Sequence, residues 1–151
     1  MRIGEGELDD PRVIALVTHH ITAARAETMP GCAHALDPAG LRGPDIRFWA
    51  FWEGEELLGV CALKRLTAEH GEVKSMHVAQ SARRHGIGGQ MVEHVIAAAR
   101  QAGMRRLSLE TGSWDYFRPA HALYRRHGFV ECPPFDGYKP DPNSLFMTRM
   151  I

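Results

Sequence analysis

The sequence predicts an α/β fold of the α+β type, in which helices flank a mixed central sheet of about six to seven strands. Two segments of strand character joined by a tight turn lie in the first half, and they predict an antiparallel hairpin. A strand, a helix and a second strand follow within about forty residues, which implies a crossover and a parallel pair. The length of 151 residues suits one compact domain, and neither a repeat nor a linker divides residues 1–151.

The composition favours a globular protein that does not act on nucleic acid. Hydrophobic residues make up 44% and charged residues 24% of the chain, enough for both a core and a polar surface. Lysine plus arginine (18) balances aspartate plus glutamate (18), whereas nucleic-acid-binding proteins carry a basic surplus. Three widely spaced cysteines, Cys32, Cys61 and Cys132, indicate reduced thiols and exclude a disulfide framework or a Cys-x-x-Cys metal site.

The N-terminal stretch "MRIGEGELDD" lacks the apolar core that a secretion signal needs. No apolar run along the chain approaches the length of a membrane span. We therefore expect a cytoplasmic protein without a membrane partner.

The elements of the first half follow from their periodicity. A helix begins after Asp9-Asp10-Pro11, and its apolar stripe consists of Val13, Leu16, Val17 and Ile21. Residues 30–45 are rich in Pro and Gly and predict a loop with at most one short helical turn. The hairpin comprises strands over 46–52 and from 57 onward. The next strand, "EVKSMHV", alternates imperfectly, as expected of a central strand covered on both faces.

The second half continues with a helix over "GGQMVEHVIAAARQAG", whose stripe includes Met91, Val95 and Ala99 and whose C-terminal cap is Gly103. The segment "RRLSLET" alternates as a strand. The segment "PAHALYRRHG" predicts a helix with Pro119 in its first turn and Gly128 beyond its end. Two final strands are expected near residues 129–131 and over "SLFMTRM".

Three glycines, Gly86, Gly88 and Gly89, stand where the helix of the crossover begins, although glycine costs about 1 kcal/mol inside a helix. Free amide groups at a helix N-terminus bind phosphate, and bare backbone lets a diphosphate approach. The preceding basic residues favour this anion cradle over a mere tight turn. A nucleotide-triphosphate loop is excluded because no lysine follows the glycines. A dinucleotide site is disfavoured because Met91 holds the third glycine position and a seven-residue connection separates strand from glycines.

The segment "HVAQSARRHGIGGQMV" resembles the acetyl-coenzyme A signature of the GNAT superfamily of N-acetyltransferases, Arg/Gln-x-x-Gly-x-Gly/Ala. The strands "EVKSMHV" and "RRLSLET" flank it as in the family, and "ALYRRHGF" is similar to the family's Leu-Tyr-x-x-x-Gly-Phe segment. The likeness covers the second half well and the first half in element order. It departs at Arg84, where the family often has a further glycine, and at Phe117, where many members have a cofactor-binding asparagine.

The resemblance implies a GNAT-like fold whose parallel strands splay to form a cleft for acetyl-coenzyme A, and an amine acceptor that is a small molecule or a peptide. Many members pair through their sheets, so a homodimer fits the family. The resemblance makes Tyr124 the acid that protonates the departing thiolate. It also implies that backbone groups on the splayed strand hold the pantetheine and the acetyl oxygen, and that the glycine segment holds the diphosphate. These cofactor-binding residues are Met76, His77, Val78, Arg83, Arg84, His85, Gly86, Ile87, Gly88 and Gly89.

The base that receives the amine proton is left open among Glu72, His77 and Glu110, which lie on the two strands flanking the cleft. For Glu72 and Glu110 the alternative is a rim carboxylate that pairs with an arginine. The adjacent His19 and His20 are expected to point to different sides of a helix at the surface. No histidine spacing indicates a metal site. A non-catalytic module that binds acyl-coenzyme A is the alternative function.

Overall fold

The computed structural model describes residues 1–26, 36–83 and 85–151, which form one seven-stranded sheet and three α-helices. The order of the strands across the sheet is β1-β2-β3-β4-β5-β7-β6. The strands are β1 (Arg2–Glu5), β2 (Ile46–Glu53), β3 (Glu56–Arg65), β4 (His70–Val78), β5 (Arg106–Gly112), β6 (Val130–Glu131) and β7 (Ser144–Met150). The helices are α1 (Pro11–Ala26), α2 (Ile87–Gln101) and α3 (Arg118–Arg126), with 3-10 turns at Gly40–Arg42, Gln80–Ala82 and Asp115–Phe117.

The mixed sheet flanked by helices confirms the predicted fold class, and the predicted hairpin, crossover helix and closing strands all form. The predicted loop over 30–45 lies partly outside the described residues, and its remainder contains the turn at Gly40–Arg42. Strand β1 was not predicted. It is short and glycine-containing, and it pairs with β2 at the edge of the sheet with mostly exposed side chains, so it has no apolar alternation to reveal it.

The two faces of the sheet carry separate cores. The α1 face is covered by α1, whose Val13, Val17 and Ile21 pack on Phe48 and Trp52 of β2. The α2/α3 face is covered by the other two helices, and its core includes residues from β2 to β7. The aromatic run of β2 therefore alternates between the cores, with Trp49 and Phe51 on the α2/α3 face, as a strand with two buried faces requires.

Strands β4 and β5 form the predicted parallel pair, and the pairing is brief. Only three register positions join them, from His70 opposite Arg106 to Glu72 opposite Ser108. Beyond Glu72, strand β4 continues for six residues without a β5 partner, so the two strands diverge into an open V. On its other edge β4 pairs with β3 through an irregular register, where Ser75 adopts a left-handed φ of 53°. Such strain in a non-glycine residue costs of order 1–3 kcal/mol and is typical of functional sites.

Two cysteines in the described residues, Cys61 and Cys132, are free, while Cys32 lies outside these residues. Burial raises the pKa of both thiols, so they favour the protonated form. Within residues 1–26, 36–83 and 85–151, none of the helices has the length and apolar character needed to cross a bilayer.

Gly59 of β3 marks a close approach that a side chain would obstruct. A Cβ atom there would lie 2.7 Å from Met91 Sδ of α2 and 2.9 Å from the carbonyl oxygen of His77 on β4. We expect Gly59→Ala to lower the free energy of unfolding by about 1–3 kcal/mol, because the backbone of β4 cannot yield cheaply. Urea denaturation followed by circular dichroism measures the change.

Gly43→Ala is the matched control, since its Cβ would meet its nearest neighbour at 3.5 Å, an ordinary contact, and its φ of −60° suits alanine. Equal stability of the two variants would contradict the close packing of β3, β4 and α2.

Candidate active site

The open edge of β4 offers unpaired backbone groups. Ala79 donates its N–H to the carbonyl of Leu58 on β3 (2.8 Å), and the carbonyl of His77 also points toward β3. Because successive residues of a strand direct their polar groups to opposite edges, Met76 and Val78 direct theirs into the V, where β5 no longer pairs with β4. The backbone N–H groups of Met76 and Val78 can therefore donate hydrogen bonds to the carbonyl groups of an extended ligand.

The glycine segment begins α2 with an open, bare backbone. Gly86 is the N-cap residue with a left-handed φ of 77°, and a Cβ placed there would have no neighbour within 4 Å. The bond from Gln90 N–H to the Gly86 carbonyl (3.2 Å) is the first of the helix. The amides of Ile87, Gly88 and Gly89 precede it, so they have no intrahelical acceptor, and the N-cap residue, a glycine, has no side chain to cap them. This helix start fits an anion such as a diphosphate.

Gly88 and Gly89 also allow α3 to lie close to the start of α2. A Cβ on Gly88 would lie 3.0 Å from Leu123 Cδ2, and one on Gly89 would lie 3.4 Å from His127 Cε1. The glycines therefore serve packing as well as ligand approach. Of the predicted basic residues beside them, Arg83 and His85 are exposed, and Arg84 lies outside the described residues.

Tyr124 of α3 lies in the core of the α2/α3 face. Its ring is buried and packs edge-to-face on Phe129, with centroids 5.7 Å apart. Burial raises the pKa of its phenol, and the nearby thiol of Cys61 raises it further. Cys61 belongs to β3 and lies between the register positions of Val60 and Ala62, where β4 bulges. The phenol therefore remains protonated at neutral pH, and it lies near Cys61, beside the irregular pairing of β3 with β4.

Glu72 is buried on the α1 face with two partners. Its carboxylate accepts a hydrogen bond from the hydroxyl of Tyr138 (2.7 Å) and one from the ammonium group of Lys74 (3.2 Å). The expectation of a rim carboxylate that pairs with an arginine is wrong for Glu72, because its side chain is only 2% exposed and its cationic partner is a lysine. Removing one member of such a buried pair costs about 3–5 kcal/mol.

Glu110 faces the same side of the sheet as Glu72, since it follows the buried Leu109 of the α2/α3 core on β5. Burial raises the pKa of the Tyr138 phenol, and the carboxylates of Glu72, Glu110 and Asp136 raise it further. The Tyr138 ring packs on Phe135 and Phe146, with centroids 5.2 and 5.5 Å away. The α1 face beside the V thus combines carboxylates with an aromatic wall.

A histidine pair lies at the end of β4 on the α1 face. Nδ1 of His77 is 3.1 Å from Nδ1 of His20 on α1, and the ring centroids are 4.9 Å apart. Sequence reasoning missed His20 and placed it at the surface. The signal was present, because His20 follows Leu16 by four residues and Val17 by three, and so falls on the stripe that α1 buries.

The predicted residues are therefore divided between the two sides of the V. Met76 and Val78 lie at the end of β4 that β5 does not pair, Gly86 begins α2 after the connection 79–85, and Tyr124 lies in the core of the α2/α3 face. Glu72, Glu110 and the His77 side chain lie on the α1 face. Phe117, at the position of the family's asparagine, instead packs against Gly112 and Tyr116.

No group of three or more His, Cys, Asp or Glu side chains that could hold a metal ion occurs in the described ranges 1–26, 36–83 and 85–151. The arrangement fits a ligand that has a diphosphate at one end and an extended amide chain at the other.

Comparison with known proteins agrees with this geometry. Residues 15–129 match the model of the acetyltransferase (GNAT) family. The chain is 45% identical to the N-acetyltransferase YsnE of Bacillus subtilis over 151 residues, which covers all of both chains. It is 43% identical to the N-acetyltransferase YedL of Escherichia coli over 145 residues, covering 96% of this chain and 91% of the relative.

Solved structures share the fold. An acyl-CoA N-acyltransferase structure from Klebsiella pneumoniae superposes with a TM-score of 0.78 at 28% identity, covering 99% of this chain and 96% of that one. An aminoglycoside 6'-N-acetyltransferase complexed with coenzyme A superposes with a TM-score of 0.71 at 16% identity, covering 99% and 97%. The family match over most of the chain and the two close relatives confirm the resemblance read from the glycine signature. The chain belongs to the acetyltransferase (GNAT) family.

Proposed function

We propose that this protein transfers an acetyl group from acetyl-coenzyme A to a primary amine, most simply of a small molecule, by direct attack of the amine on the thioester. The observation that carries the proposal is the continuity of two binding features. The open edge at Met76 and Val78 and the bare helix start at Gly86 are separated only by the connection 79–85, and one ligand lying in the opening of the V would reach both.

The residues on this opening divide the binding of acetyl-coenzyme A. The helix-start amides of Ile87, Gly88 and Gly89, with Arg83 and His85 beside them, suit its diphosphate. Met76 and Val78 suit its pantetheine amides and the acetyl oxygen. His85 and Arg83 are exposed and add positive charge without filling the cradle. Bound there, acetyl-coenzyme A supplies an activated acyl group and a thiolate leaving group.

The reaction requires proton transfers that the chain is equipped to assist. An amine with a pKa near 10.4 costs about 4–5 kcal/mol to hold neutral at pH 7, so a desolvated site or a base is needed. The buried phenol of Tyr124 is protonated and lies near Cys61, beside the irregular pairing of β3 with β4, which suits the acid that protonates the leaving thiolate. Glu72, held by Lys74 and Tyr138, and Glu110 line the side from which the amine approaches.

The relatives support an amine as acceptor, because YsnE and YedL are named N-acetyltransferases. A further relative, 42% identical over 120 residues, is named an IAA acetyltransferase of Azospirillum brasilense. The α1 face offers an aromatic wall of Phe135, Tyr138 and Phe146 next to carboxylates, which suits an organic amine.

A thermal-shift titration tests the proposal. Coenzyme A at about 100 times its Kd should stabilise the protein by about 2.7 kcal/mol, a rise in Tm of roughly 5–10 °C for a chain of this size. NADH, also a diphosphate but without pantetheine, should produce no comparable shift. The absence of any shift with millimolar coenzyme A or acetyl-coenzyme A would overturn the proposal, and stabilisation by NADH would favour a dinucleotide enzyme instead.

A non-catalytic acyl-coenzyme A-binding module is the second candidate. It is favoured by one observation, that the Glu72 carboxylate is already engaged by Lys74 and Tyr138. Incubation of the protein with acetyl-coenzyme A and a panel of primary amines, read by free thiol release, separates the two. Coenzyme A binding without amine-dependent thiol release would support the module.

A further inference from the structure

The histidine pair of α1 and β4 has a defined chemical arrangement. Only the Nδ1 atoms of His20 and His77 meet, at 3.1 Å, so a single hydrogen bond joins the two imidazoles. One Nδ1 must donate and the other accept, which couples the tautomers of the rings. When His77 is the donor, its proton is on Nδ1 and its Nε2 is unprotonated and able to accept a proton.

The pair lies beside the proposed reaction site. His77 is the residue between Met76 and Val78, whose backbone groups face the V, and its own side chain is buried on the α1 face. An amine that reaches the acetyl group from the α1 face would lie next to the His77 ring, on the strand that would hold the acetyl oxygen. His20 reaches this place because it lies on the buried stripe of α1.

The surroundings keep both rings uncharged. Burial and, to a smaller extent, the neighbouring His19 lower the pKa of His20 to about 4. Burial is also the main cause that lowers the pKa of His77 to about 3, followed by His20, then Arg83 after β4, then His19 of α1. The resting pair is therefore neutral at physiological pH, with one free imidazole lone pair available to a substrate.

We propose that His77 is the base that accepts the amine proton during acetyl transfer, and that His20 is a positioning residue which accepts the Nδ1–H of His77 and so fixes the reactive tautomer. This inference rests on the proposed function and names the base that it leaves open. It assigns to α1 a part in the chemistry of a cleft otherwise built from β4, β5, α2 and α3.

The free amine attacks the thioester carbonyl, a carbon–nitrogen bond forms, and the nitrogen passes one proton to Nε2 of His77. The carbon–sulfur bond then breaks, and the thiolate receives a proton from the phenol of Tyr124. The imidazolium and the phenolate neutralise each other by proton exchange through solvent, so the enzyme is regenerated. The negative oxygen formed at the carbonyl raises the proton affinity of the nearby imidazole during the step, since an opposite charge within about 4–6 Å favours its charged form.

Substitutions at His77 and His20 test the pair. His77→Asn removes the base and should lower kcat about 100-fold. His20→Ala removes the acceptor for His77 Nδ1–H and should lower kcat about tenfold, whereas His20→Asn places an amide oxygen near the former Nδ1 and should restore most of the loss. Thr18→Ala, at an exposed position of the same helix, is the control and should retain full kcat. The kcat values are measured by thiol release from acetyl-coenzyme A, with the primary amine that gives the highest rate in a panel as acceptor.

A nuclear magnetic resonance measurement on the free enzyme gives a readout independent of turnover. The imidazole 15N signals of His77 should report the tautomer protonated at Nδ1, and this preference should disappear in His20→Ala. In that variant the pKa of His77 should also rise, because one source of charge repulsion is gone.

The outcomes separate this inference from the proposed function. Wild-type turnover that persists in both His77→Asn and His20→Ala would overturn the inference and leave the acetyltransferase function intact. A His77 ring protonated at Nε2 in the free wild type would also overturn it. Failure of the wild-type protein to bind coenzyme A or to release thiol with any amine would instead overturn the proposed function, and the inference with it.

Discussion

Gly86→Asp is expected to weaken coenzyme A binding about 100-fold, whereas Gly86→Asn is expected to retain most of it. The two side chains have nearly the same shape and must both adopt the left-handed φ of 77°, which Asp and Asn tolerate better than other residues. A Cβ at position 86 meets no atom within 4 Å, so neither variant creates a clash. The pair therefore differs in one respect, a negative charge at the helix start.

The size of the effect follows from electrostatics. A carboxylate about 5 Å from a phosphate charge costs about 3 kcal/mol at an effective dielectric constant near 20, which corresponds to roughly 100-fold in Kd. The same carboxylate stabilises the unliganded helix by about 0.3–1 kcal/mol relative to Asn, because it offsets the positive end of the helix dipole. Gly86→Asp should thus bind coenzyme A weakly, while its Tm without ligand equals or slightly exceeds that of Gly86→Asn.

Isothermal titration calorimetry with coenzyme A measures the affinities, and differential scanning fluorimetry measures the unliganded Tm. Equal affinities of the Asp and Asn variants would show that no anion binds at the start of α2. The diphosphate would then have to lie elsewhere, and the proposed function would lose its main support.

Tyr124→Phe is expected to lower kcat about 100-fold with little change in coenzyme A affinity, because the variant removes only the proton donor to the leaving thiolate. The aromatic ring and its packing on Phe129 are retained, so the fold should be preserved. Since burial raises the pKa of the phenol, its proton is retained in alkaline solution, and we expect no loss of activity from Tyr124 between pH 7 and pH 9. Thiol release at saturating acetyl-coenzyme A measures the effect.

Tyr116→Phe is the matched control, because this tyrosine is exposed on the turn before α3 and should contribute little to kcat. An unaltered kcat in Tyr124→Phe would mean that the thiolate leaves unprotonated or takes its proton from solvent. Reduced kcat in both variants would indicate a general effect on the segment between β5 and α3.

Sequence reasoning predicted the elements whose signals are local. The apolar stripe of α2, its C-terminal Gly103 and the hairpin turn at Gly54 each fix an element through its own residues, and both glycines adopt the positive φ that such positions require. The glycine signature before α2 was equally readable, because its residues are adjacent in the chain and their backbone freedom has few other uses.

The parts that sequence reasoning missed depend on contacts between distant segments. Tyr138 reaches Glu72 from 66 residues away, and His20 reaches His77 from 57 residues away. Neither partner is specified by local periodicity, so a search for motifs cannot pair them. Strand β1 was not predicted for a related reason. The strand with which it pairs, β2, lies more than forty residues later, and the side chains of β1 are mostly exposed.

The three-rung junction between β4 and β5 has a consequence for how the protein responds to its cargo. The two halves of the sheet are joined by few hydrogen bonds between β4 and β5. The helices α2 and α3 pack across this weak junction, on one face of the sheet only. A pantetheine chain lying between β4 and β5 would replace the hydrogen bonds that the two strands lack and would connect the two halves of the sheet. Binding of acetyl-coenzyme A would then stabilise the whole sheet, so that the co-substrate is both a reactant and an additional strand of the enzyme while it is bound.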